Sequence, residues 1–197
     1  MSDARPAESA PPPADPSRAA LDAFVAAFPD GVTAAGVLFG EPTAILERDN
    51  VKAAARWLRD QAGFQLLRSI TCVDFLVAVP RFHIVYHVAS LPDSMLTGDA
   101  DPAAGVYRTL RIKVPVPADS PVIDTVTDIY PTADWLEREV WDLFGIEFAG
   151  HPDLRRILLP DDFDGHPLRK DAPLRYEDVQ FTFNYDAVAA AKPRAHE

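Results

Sequence analysis

The sequence predicts an α+β domain of two layers, a mixed and mostly antiparallel sheet with helices on one face, followed by an extended C-terminal arm. Three observations lead there. Strand-like runs cluster in the middle of the chain, with amphipathic helices before and after them. Those runs alternate apolar and polar residues, as a sheet with one buried and one wet face requires. From residue 150 no strong helical stripe returns until "YDAVAAAKPRA" near the end of the chain.

Residues 1–16 carry five prolines and four alanines without a period and read as a disordered leader. The domain is expected over 17–149, in the order α-β-β-α-β-β-β-α, and the arm over 150–197. From Ser17, the helical spacing of Leu21, Phe24, Val25 and Phe28 predicts a first helix closed by Asp30-Gly31. Two β-prone stretches follow, Val32–Phe39 and Thr43–Glu47, with Gly40-Glu41-Pro42 as the turn between them. Asp49 or Asn50 then caps a second helix, "VKAAARWLRDQAG", that ends at Gly63.

"FQLLRSITCVDFLVAV" is rich in β-branched and aromatic residues and reads as a strand, in which Asp74 serves at most to pin the register. "RFHIVYHV" sets Phe82, Ile84, Tyr86 and Val88 against His83, Val85 and His87. "VYRTLRIKV" sets Leu110, Ile112 and Val114 against Thr109, Arg111 and Lys113. A short helical stretch is expected over Val122–Asp128. A last helix starts at Thr132 or Asp134, with Leu136, Val140, Leu143 and Phe144 as its core-facing stripe and Gly145 as its left-handed stop.

The totals exclude several functions. Nineteen basic against thirty acidic residues give a net charge of −11, unsuited to binding phosphates, which need clustered Lys and Arg. The single cysteine, Cys72, rules out an internal disulfide, and an iron–sulfur cluster ligated by this chain alone needs about four thiolates. No apolar run reaches the roughly 20 residues of a membrane span. The N-terminus lacks the apolar stretch of a signal peptide.

The densest chemistry lies between 135 and 174, "WLEREVWDLFGIEFAGHPDLRRILLPDDFDGHPLRKDAPL". Glu137 and Glu139 fall on opposite edges of the helical stripe, so they do not converge as paired catalytic carboxylates would. Arg138 and Asp142, four residues apart, read as a helical ion pair. His151, Asp153, Asp161 and His166 match no zinc spacing, and His83 and His87 would stand roughly 13 Å apart along their strand. There is neither a nucleophile elbow nor a phosphate-binding loop. Charges and aromatics set in Pro-bounded extended chain fit an interaction surface better than a reaction centre.

Three motifs in order carry a resemblance: E-R-E-x-x-D-L-F-G, "GHPDLRRIL" and "GHPLRKD". Over about residues 127–174, and more loosely from 45 through "TCVDFL" and the strands, the chain resembles the thirty-kilodalton (30 kDa) subunit of respiratory complex I. The resemblance implies a cofactor-free subunit of the peripheral arm of proton-translocating NADH:quinone oxidoreductase. FMN, iron–sulfur clusters and quinone would belong to partner subunits. The chain would sit on the cytoplasmic face of the bacterial inner membrane beside the quinone-site and iron–sulfur subunits, with its C-terminal segment wrapped over neighbours. Glu137, Arg138, Glu139, Asp142, Gly145, His151, Pro152, Arg155, His166, Pro167, Arg169, Lys170 and Asp171 would be its motif and interface residues. Two other readings stand beside it: the equivalent subunit of a membrane-bound hydrogenase or photosynthetic complex, and a free-standing hydrolase or metalloenzyme using the His/Asp-rich segment.

Overall fold

A computed structural model describes residues 15–92, 107–172 and 184–191. Helix α1 (Pro16–Ala27) starts at a proline, whose missing N–H costs nothing in the first turn, and Asp15 accepts from the Ser17 N–H. Strands β1 (Val32–Leu38) and β2 (Glu41–Leu46) form a hairpin. Its turn is Phe39-Gly40, both at positive φ (54° and 79°), not the expected Gly40-Glu41-Pro42. The shift of register carries Glu41 and Pro42 into β2, where Pro42 pairs with Val37 and lies beyond the three residues, Thr43 to Ile45, that pair with β5. A 3-10 turn (Arg48–Asn50) leads into α2 (Val51–Asp60), and Asn50 stands at its N-cap without a side-chain hydrogen bond.

Strands β3 (Leu66–Asp74), β4 (Phe82–Ser90) and β5 (Arg108–Val116) complete a five-stranded sheet in the order β1-β2-β5-β4-β3. Within it only β2 and β5 run parallel; the other pairs are antiparallel. The sheet is thus mixed and mostly antiparallel, as the alternation foretold. Phe82, Ile84, Tyr86, Val88, Leu110, Ile112 and Val114 are all buried and share one core with Leu21 and Phe24 of α1 and Ala54 and Leu58 of α2. The opposite face carries a polar row across four strands. Thr43, Arg111, His87 and Ser69 are register partners in turn, and the Arg111 guanidinium donates to Thr43 Oγ1 at 2.9 Å and pairs with Glu41 at 2.8 Å.

Val122–Asp128 is not helical. Val122–Asp124 forms a strand, β6, paired in parallel with β7 (Glu147–Ala149), and helix α3 (Ala133–Phe144) lies between them in the chain. The partner of β6 is more than twenty residues away, so a local period could not find it. Residues 150–172 hold neither helix nor strand and lie against α3 and the connection between β3 and β4. A short helix, α4 (Tyr185–Ala191), falls in the alanine-rich "YDAVAAAKPRA". The leader before residue 15 and the arm over 173–183 lie outside the described residues.

Candidate functional site

The charged motifs meet around α3, and several of their residues, Glu137, Asp142, His151, His166 and Arg169, face inward. Gly145 ends the helix at φ 69° and ψ 31°, in the left-handed region expected from sequence. It also admits a close neighbour: a Cβ there would lie 2.5 Å from the His166 ring and 2.7 Å from the Arg169 guanidinium. Arg169 donates to the carbonyls of Phe144 and Gly145, a cation at the negative end of the helix dipole. His166 donates from Nδ1 to the Asp142 carbonyl at 2.9 Å, and the Leu168 N–H donates to the Leu143 carbonyl at 3.1 Å. The second Gly-His-Pro segment is therefore the C-cap of α3.

The expected Arg138–Asp142 ion pair does not form. Arg138 turns to the carbonyls of Arg155 and Arg156, at 3.2 and 3.1 Å. Asp142 is fully buried and takes four hydrogen bonds: Arg156 Nη1 at 2.6 Å on one oxygen, and the N–H groups of Ile157, Leu158 and Leu159 at 2.9–3.1 Å on the other. Three successive amides aimed at one anion form a nest. Burial alone would raise the Asp142 carboxyl, but the Leu159 and Leu158 amides, Arg156 and the Ile157 amide together hold it below its ordinary range. Helical spacing hid this arrangement, because the partners come from chain with no period.

Glu137 sits at the centre of the buried face, not at the edge where helical spacing puts it. With Ala133 and Val140 it is wholly enclosed, while Leu136 and Phe144 are half-buried flanks and Leu143 lies outside the core. Its carboxyl accepts from Thr125 Oγ1 at 2.5 Å and from the Val126 N–H at 2.8 Å, tying α3 to the segment after β6. Burial outweighs these bonds and pushes the carboxyl up to about 7. The His151 ring is also enclosed, donating from Nε2 to the Asp134 carbonyl and accepting the Asp153 N–H at Nδ1, with Nε2 4.0 Å from Glu137.

A second centre has no counterpart in the sequence reading, which gives Asp74 no role beyond strand register. Arg81 clamps the buried Asp74 with two bonds of 2.9 and 2.7 Å and Asp171 with two more of 2.9 and 2.7 Å. The Lys170 N–H donates to Asp74 at 2.8 Å, and Arg81 holds Asp74 well below the usual carboxylate range. An ionisable pair seven residues apart, Asp74 and Arg81, in an otherwise apolar run was the available signal. Cys72 nearby is buried, and its thiol is pushed up to about 12.

Glu139, Pro152, Arg155, Pro167, Lys170 and Asp171 are exposed, and Glu139 makes no hydrogen bond or ion pair among the described residues. No three His, Cys, Asp or Glu side chains converge as metal ligands among the described residues, and no helix there is long and apolar enough to cross a membrane.

The model of the respiratory-chain NADH dehydrogenase 30 kDa subunit family matches residues 44–178, and so takes in the whole motif region. The chain belongs to that family. A subunit of NADH-quinone oxidoreductase from Roseiflexus sp. (strain RS-1) is 38% identical over 179 residues, covering 90% of this chain and 95% of its own. The corresponding subunit from Herpetosiphon aurantiacus is 44% identical over 160 residues, covering 80% and 86%. Among solved structures, the trypsin-resistant fragment (1-134) of Nqo5 superimposes with a TM-score of 0.55 at 33% identity, covering 68% of this chain and 96% of the fragment. A chain of the membrane-bound sulfane sulfur reductase, an archaeal respiratory membrane complex, has the same fold at a TM-score of 0.59, 22% identity, and 90% and 93% coverage. In this member of the 30 kDa subunit family, the inward-folded motifs are internal fastenings, and the exposed residues among them are what a neighbour can touch.

Proposed function

We propose that this chain is a cofactor-free subunit of the peripheral arm of a bacterial NADH:quinone oxidoreductase. Electrons would pass from NADH through FMN and iron–sulfur centres to quinone in partner subunits, on the cytoplasmic face of the membrane. The chain supports assembly beside the quinone-site and iron–sulfur subunits. Family membership supports the complex, and one observation carries the non-catalytic reading: the Asp142 carboxylate is fully buried and held by four donors of its own chain. Glu137 is likewise enclosed, so the charge-rich motif offers no acid–base pair to a substrate. Its work is to lock residues 150–172 to α3 and β3, leaving Glu139, Arg155 and Lys170 to face neighbours.

Affinity purification of the tagged chain from native membranes, with identification of co-purifying subunits and an NADH:quinone assay, tests the reading. NADH-oxidising and quinone-site subunits should co-purify with activity, and the separated chain should be colourless. Co-purification with hydrogenase-type subunits, or flavin, iron or zinc in stoichiometric amount on the chain alone, would overturn it.

A further inference from the structure

Arg68 and Trp135 stand outside everything described so far. Arg68 is the extra residue of a bulge in the outer strand β3, where Leu67 pairs with Val88 and Ser69 with His87, so Arg68 has no partner in β4. Bulges re-aim a side chain, and they recur next to functional sites. Arg68 is exposed, and among the described residues it makes no hydrogen bond or ion pair. Trp135, in the first turn of α3, is 67% exposed, whereas Trp57 and Trp141 pack against the core. The two residues line one groove of about 520 Å³, completed by Leu67, Pro131, Thr132 and Leu136.

We infer that this groove is a docking site for an extended segment of a neighbouring subunit, one that seats an apolar side chain against Trp135 and a carboxylate against Arg68. Among the described residues Arg68 is the only ionisable one of the lining, so there the groove carries one positive charge and no negative one. A carboxylate is its complement, and the planar guanidinium can grip both oxygens. Tryptophan and arginine are both enriched among the few residues that carry most of the binding energy at protein interfaces. A second copy docked groove to groove does not fit, because that arrangement opposes two cations. An anionic lipid surface does not fit either, since a chain of net charge −11 is repelled from it. The inference rests on the subunit reading above.

The test uses the assembled complex. Hydroxyl-radical footprinting of the unaltered complex should show Trp135 oxidised at least roughly tenfold more slowly than in the free chain, as burial at an interface requires. In a complex carrying Arg68→Lys, carbodiimide coupling should join residue 68 to an Asp or Glu of another subunit. Arg68→Glu should lower incorporation by roughly tenfold or more, and reversal of the identified partner carboxylate to Lys should restore it. Equal oxidation of Trp135 in free chain and complex would overturn the inference while leaving the subunit reading intact. So would coupling confined to this chain or to a second copy. Absence of any co-purifying subunit with the unaltered chain would overturn the subunit reading first, and the groove with it.

Discussion

Glu137 is a carboxyl whose folded-state value, about 7, lies above its ordinary 4.5 because burial disfavours the anion. Its protonated form is the one the fold accepts. Stability from this group is therefore complete below pH 4.5 and declines as pH rises through 7, by roughly 3 kcal/mol at about 1.36 kcal/mol per unit. Urea titrations of the chain at pH 5 and pH 8 should show that decline, and Glu137→Gln, which cannot ionise, should abolish it. An equal pH dependence in the variant would mean that the carboxyl titrates normally. Gly145 offers a second test at this scale. Gly145→Ala places a Cβ in the left-handed region, at about 1–2 kcal/mol, and drives it into the His166 ring. Protease should then cleave sites after residue 160 faster than in the unaltered chain, because His166 and Arg169 lose their seat.

Within α3, the buried face decides which substitutions matter. Val140 is 3% exposed in the core, and Val140→Ala should cost roughly 2 kcal/mol, whereas Leu143→Ala, outside the core, should cost less than half as much. The urea midpoints of the two variants, measured side by side, check the order. The sequence stripe ranks both positions alike, since an apolar period shows that a helix has a core face but not its centre. Gly145 was legible because its conformation is a local property. Glu137, Asp142 and Asp74 were not, because burial of a charge is set by partners from distant, aperiodic chain such as Thr125, Arg156 and Lys170. The same limit explains β6, a three-residue strand whose pairing needs β7. Strands β4 and β5 were legible to within two residues at either end, since alternation over nine positions leaves little choice of face, although Val85, set on the polar side by that alternation, is buried as well.

For the whole molecule, the motif region divides into residues bonded inward and residues left exposed, and under the proposed function the two classes predict opposite phenotypes. Glu139→Ala removes an exposed charge without a partner among the described residues, so the free chain should keep its stability within about 0.5 kcal/mol. Native gels of membranes should nevertheless show less assembled complex, since stranding a charge at an interface costs about 2–5 kcal/mol. Full assembly with NADH:quinone activity lost would instead make Glu139 a residue of turnover.

The strand order has a consequence for how the chain comes into being. The middle strand of the sheet, β5, is the last of the five to be synthesised, and both hairpins it joins are complete before it. Until residue 116 leaves the ribosome, the inner edges of β2 and β4 have no mate, and the apolar faces of two separate ribbons are open to solvent. Two-stranded ribbons are marginal alone, and pairings this distant in sequence are slow to form. A nascent chain that has emerged from the ribosome as far as residue 107 should therefore bind chaperones and be cut by protease, while emergence of nine further residues, Arg108–Val116, should protect the strands from β1 onward together.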